Sequence, residues 1–187
     1  MKKLFHLCLA FILTIALVGC SSTPTNDESE PTSSNTTDQN VLIAYFSMTG
    51  NTEEVAQDIQ VETDGDLVEI TRTEEYPSDY YDIAENEIIN GEQPDITVSI
   101  NSIEDYDVIF IGYPIWWEEA PAMINTFVHQ FDFSGKTVVP ICTSTSDGIE
   151  ASLDVFDDIQ DEATITGAMR VTNSTDITAW VDDVLGA

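Results

Sequence analysis

Short unbroken apolar runs alternate along this chain with stretches in which apolar residues recur every three or four positions. Val41 to Phe46 is the first such run, and its β-branched and aromatic content suits a strand buried on both faces. Val55, Ala56 and Ile59 follow at helical spacing. Asp66 to Thr71 alternates like a strand with one open side. The segment from Glu74 to Asp95 is polar and carries a helix through Ile83 to Ile89, stopped by Gly91 and Pro94. Asp107 to Tyr113 reads as the central strand. Pro121 then opens a helix striped with Met123, Ile124, Phe127, Val128 and Phe131. Lys136 to Cys142 predicts a fourth strand, and the next helix sets Ile149, Leu153, Phe156 and Ile159 on one side. A fifth strand is expected within Ala163 to Val171. A closing helix carries Ile177, Trp180, Val181 and Val184. Strands alternating with helices predict an α/β fold, with a parallel sheet, right-handed crossovers and helices on both faces.

The first forty residues stand apart. Lys2 and Lys3 precede an apolar run from Leu4 to Val18 that meets Gly19 and Cys20. That run has the length of a signal-peptide core rather than a membrane span. Its ending resembles the lipobox of bacterial lipoproteins, which implies that residues 1–19 are a signal peptide and that Cys20 carries a lipid anchor. Ser21 to Asn40 contains no aliphatic or aromatic residue, so it reads as a disordered tether. As a flexible coil it reaches about 25 Å. The organisation expected is signal peptide at 1–19, lipidated Cys20 and tether at 20–40, and a folded domain at 41–187. Such a protein is extracytoplasmic and held at the cell membrane.

Charge and cysteine content narrow the chemistry. Beyond the signal only Arg72, Lys136 and Arg170 face 35 acidic residues, an excess of 32 negative charges. Nucleic acid is excluded as a partner, because phosphate backbones are bound through cationic patches. Salt adaptation of the surface is the preferred account of the acidity, with a cationic partner as the other. Cys142 is the one cysteine left free, so no intrachain disulfide is available, and an inert buried thiol is the expectation. His129 is the only mature histidine, which leaves no histidine cluster for a metal and no Ser-His-Asp arrangement.

In parallel α/β sheets ligands bind beyond the carboxyl ends of the strands. Three loops fall at that edge. Ser47-Met48-Thr49-Gly50-Asn51-Thr52 offers short donors and a helix N-terminus, which favour an anion without any Lys or Arg. An ordinary capped turn satisfies the same residues. Pro114-Ile115-Trp116-Trp117 supplies two indoles, either core or platform for a flat ring. Thr143-Ser144-Thr145-Ser146-Asp147-Gly148 is small and polar. Together they suit a ligand with a phosphate at one end and a flat apolar ring at the other. Tyr76, Tyr80 and Tyr81 either line a site or cover a sheet edge, and covering is the preferred reading.

These stretches, SMTGNT, YPIWWEEAP and DFSGKTVVPICTS, resemble the flavodoxin family from Val41 to the C-terminus. The resemblance implies a three-layer α/β/α sandwich, a five-stranded parallel sheet of order 2-1-3-4-5, and non-covalent FMN. It places the phosphate on Ser47, Met48, Thr49, Gly50, Asn51 and Thr52, sets Pro114, Ile115, Trp116 and Trp117 beside the isoalloxazine, and closes Thr143, Ser144, Thr145, Ser146, Asp147 and Gly148 over it. No catalytic residue is assigned. Glu118 stands where the related subgroup commonly has Gly, Asp147 adds an acid to the third loop, and Glu53 and Glu54 share the helix start. The favoured expectation is a membrane-tethered FMN protein outside the cytoplasm, an electron carrier or small flavin oxidoreductase, with a redox partner that the sequence leaves unidentified. The alternatives are an FMN-dependent NAD(P)H:quinone-type reductase and a flavodoxin fold that has lost FMN and serves as a binding or surface protein.

Overall fold

The computed structural model describes residues 39–186. The signal peptide, Cys20 and nearly all of the tether lie outside the described residues. Within them the predicted alternation appears as β1 (Val41–Tyr45), α1 (Asn51–Thr63), β2 (Asp66–Glu69), β3 (Thr71–Arg72), α2 (Tyr81–Ile89), β4 (Ile96–Thr97), β5 (Val108–Pro114), α3 (Ala122–Gln130), β6 (Thr137–Thr143), a 3₁₀ helix (Glu150–Ile159), β7 (Thr164–Ile165), β8 (Met169–Val171) and α4 (Ile177–Leu185). The main sheet runs β2-β1-β5-β6-β7, with β8 also on β6 and every pairing parallel. Counting β7 and β8 as one interrupted strand gives the expected order 2-1-3-4-5. Among the described residues no helix is long and apolar enough to cross a membrane.

Alternation along the central strands builds a core on each face. Leu42, Ala44, Ile109, Ile111, Tyr113, Val138 and Cys142 meet α3 and the 3₁₀ helix through Met123, Ile124, Phe127 and Phe156. Val41, Ile43, Tyr45, Val108, Phe110, Val139 and Ile141 meet α1 and α4 through Ala56, Ile59, Trp180 and Val181. Two apolar faces on each strand explain why the central runs lack polar positions.

The structure corrects three elements. The predicted strand 66–71 breaks after Glu69: Ile70 donates to the Tyr45 carbonyl at 2.6 Å, and Thr71–Arg72 turns away to pair antiparallel with Ile96–Thr97. The fifth strand is split at Gly167 (φ 63), whose carbonyl accepts the Trp180 indole N–H at 3.1 Å. A Cβ there would meet Val184 Cγ2 at 2.7 Å, so the backbone bends where α4 presses closest. The fourth helix is wound as 3₁₀, with Ser152 rather than Leu153 fully buried, and Ser152 Oγ donates to the Ile149 carbonyl at 2.8 Å.

Candidate functional site

At the carboxyl edge of the sheet the loops after β1, β5, β6 and β8 enclose a cleft of about 1020 Å³. Ser47, Met48, Thr49, Asn51 and Thr52 line it, with Pro114, Ile115, Thr143, Ser144, Thr145 and Asp147. Gly50 sits at the turn between β1 and α1 with φ 89, a backbone region that glycine enters without steric cost. Gly112 lets the first turn of α1 lie close on β5, since a Cβ there would meet Thr52 Cγ2 at 3.2 Å. Thr52 is buried, and its hydroxyl shares a 2.8 Å hydrogen bond with that of Thr143, tying the first loop to the third.

The start of α1 decides between a capped turn and an anion site. Its N-cap residue is Gly50, and no side chain caps the helix. Ser47 Oγ accepts from Gly50 N at 3.1 Å, one residue short of the helix, and the first intrahelical bond runs from Glu54 N to the Gly50 carbonyl at 2.9 Å. The amides of Asn51, Thr52 and Glu53 thus lack an acceptor among the described residues. By contrast Asp176 caps α4, accepting from Ala179 N at 3.1 Å. Bare amides at a helix start bordering a polar cleft fit a phosphate oxygen set. Exposed Glu53 and Glu54 stand in the same turn. Their repulsion costs only about 1 kcal/mol at 4 Å in water and is screened by salt.

The third loop is held by its own hydroxyls: Ser144 Oγ accepts from Asp147 N at 2.9 Å and from Ser146 N at 3.3 Å. Ser146 and Gly148 belong to that loop but do not line the cleft. The paired indoles also lie off its lining. Trp116 packs edge-on to Phe46 at 5.3 Å, against Tyr76 at 5.9 Å and beside Tyr80 at 5.3 Å, while Trp117 is 40% exposed. Tyr80 in turn stacks on Tyr81 at 4.7 Å. The tyrosines therefore do more than cover an edge: with the indoles they form one aromatic wall next to the loop after β5. Under it Glu87, 4% exposed, accepts from Tyr76 OH at 2.5 Å and from Arg72 Nε at 3.1 Å. Burial and the Glu87 carboxylate push the Tyr76 phenol well above its usual range, so it stays a donor.

Trp116 and Glu119 exchange backbone hydrogen bonds at 3.0 and 2.9 Å around Trp117 (φ 49) and Glu118 (φ 67). Two positive φ values in a row mark a mirror-image tight turn, in which glycine relieves strain. Cys142 is fully buried, and burial raises its thiol to about 12, with Arg170 pulling the other way. It is an inert core residue.

Sequence reasoning did not assign Arg170, Thr172, Asn173, Ser174 and Thr175, which complete the cleft after β8. The signal was present: a cation within the last strand and a run of short polar residues directly after it fall at the same edge of the sheet.

Comparison with known proteins agrees with this geometry. A family model described as Flavodoxin matches residues 40–184. Among solved structures, a candidate flavoprotein from Bacteroides eggerthii DSM 20697 is 33% identical, with 80% of this chain and 99% of that one covered at a TM-score of 0.70. One from Bacteroides uniformis ATCC 8492 is 31% identical, covering 77% and 98% at 0.69. A flavoprotein from Lactobacillus acidophilus NCFM, solved in complex with FMN, is 27% identical and covers 71% and 93% at 0.63. No curated protein matches the chain.

Proposed function

The chain belongs to the flavodoxin family, and from that premise we propose that it binds FMN non-covalently in the cleft above β1, β5 and β6 and passes electrons to a partner outside the cytoplasm. The observation that carries the reading is the bare start of α1, with Gly50 in the left-handed region and no side chain on its first amides. The FMN complex of the Lactobacillus relative supports it.

When bound, FMN supplies the one- and two-electron chemistry of its ring. The protein supplies the rest. Ser47, Thr49, Asn51 and Thr52, with the amides of α1, would hold the phosphate. The Thr52–Thr143 hydroxyl pair fixes the first loop against the third. Pro114 and Ile115 offer apolar contact, and the aromatic wall of Trp116, Trp117, Tyr80 and Tyr81 stands beside them. Glu118 and Asp147 lie in the loops that would flank the ring and would disfavour added negative charge there. On this reading Cys20 anchors the domain at the membrane and residues 21–40 give it reach.

The test is reconstitution. Purified protein mixed with FMN and desalted should keep a flavin spectrum with quenched fluorescence. A colourless protein at both low and high salt would end the proposal, and retained FMN with NAD(P)H turnover on quinones would move it to the reductase class.

A further inference from the structure

We propose that Arg170 is a subsite for the carboxylate or phosphate group of a second, anionic ligand that shares the cleft with the cofactor; the standing of that ligand as second rests on the FMN reading above. Of the three cations in the described residues, two are spent on the fold. Arg72 pairs with buried Glu87 at 3.1 Å. Lys136 Nζ donates to the carbonyls of Tyr106 at 2.8 Å and Glu104 at 3.1 Å. Arg170 alone lines the cleft.

Its guanidinium is held on one side only. Nη1 donates to the Ser146 carbonyl at 2.7 Å and to the Asp147 carbonyl at 3.3 Å. Among the described residues no carboxylate lies within ion-pair distance of it, although Asp147 is next door, and Nε and Nη2 make no hydrogen bond. Those two groups form the edge of the fork that matches two oxygens of a carboxylate or phosphate. Because Nη1 is already fixed, the free edge is preset rather than ordered on binding.

Strand order separates this place from the first loop. β5 and β6 lie between β1 and β8, which sets the two strands about 14 Å apart at ~4.8 Å per strand. An anion seated on the amides of α1 leaves the Arg170 fork open. In a protein with 35 acidic residues, an arginine without an ion-pair partner on the cleft adds a full positive charge for a small anion, beyond the partial charge at the start of α1. The ligand class is a small redox substrate or carrier bearing a carboxylate or phosphate.

Calorimetric titration of the purified full chain with inorganic phosphate, and separately with acetate, at constant ionic strength in chloride, tests this with and without FMN. Binding of either anion to the FMN-loaded protein, weakened about tenfold or more in Arg170→Gln and only partly recovered in Arg170→Lys, is expected. The preference for FMN over riboflavin should be unchanged in both variants. The proposal is overturned if neither anion binds beyond chloride, if Arg170→Gln binds as the parent does, or if that variant loses its FMN-over-riboflavin preference, which would give Arg170 to the cofactor. Circular dichroism checks that Arg170→Gln is folded; if it is not, Arg170→Lys carries the comparison, since it keeps the charge and loses the fork. A colourless protein after desalting refutes the FMN reading alone. In that event the FMN-free protein must still lose anion binding on Arg170 substitution, or the subsite is refuted too.

Discussion

Glu118 and Trp117 hold backbone angles that L-residues with side chains avoid, at φ 67 and φ 49, within a turn closed by Trp116 and Glu119. A left-handed residue other than glycine costs on the order of 1–2 kcal/mol. Glu118→Gly should therefore stabilise the protein by about 1 kcal/mol, offset in part by the extra freedom glycine brings to the unfolded chain. Urea midpoints at constant slope measure this. The same variant removes an acid from the loop after β5, so the potential of bound flavin should rise; an unchanged potential would show that Glu118 does not sense the ring, and a lower one would reverse the expected sign. The flavodoxin resemblance drew notice to position 118, but the turn that asks for glycine there is visible only in the fold.

α1 and α4 both begin at the carboxyl edge and differ in how their first turns are capped. Asp176 caps α4, and its replacement by Ala should cost about 1 kcal/mol whatever ligand is present. Thermal midpoints with and without FMN check that the loss is the same in both. Element existence and type were legible because buried strands and amphipathic helices write distinct periods. Strand interruptions were not: Gly167 bends under α4, and β2 ends where Thr71 and Arg72 leave β1 to pair with Ile96 and Thr97, contacts that a local pattern does not encode. The small β3–β4 pair, two residues a side, was too short to leave a period. Of the site, the loops after β1 and β6 were legible from their donors and position. The inward packing of Trp116 was not, because two adjacent indoles look alike in sequence until Phe46, Tyr76 and Tyr80 are placed around one of them.

Across the whole molecule a formal charge of −30 acts on every element at once. Glu119 shows it locally: burial, with Asp154 and Glu118 adding repulsion, raises its carboxyl above the usual range. A raised folded-state value in an acid means that stability present at low pH is lost as pH rises through it. Salt should relieve the wider self-repulsion, since the screening length falls from about 30 Å at 0.01 M to about 3 Å at 1 M. Melting temperature is expected to climb with sodium chloride across that range. A flat response would mean that the acids lie too far apart to interact.

The uncapped start of α1 carries a last consequence, for upkeep rather than catalysis. A helix that leaves its first amides to a visitor is incomplete until the visitor arrives, so occupancy and integrity of the fold become one quantity. A ligand at a hundred times its dissociation constant adds about 2.7 kcal/mol to stability. On the FMN reading, the domain would be more readily proteolysed when flavin is scarce and long-lived when it is plentiful. Its abundance would then follow the local supply of cofactor.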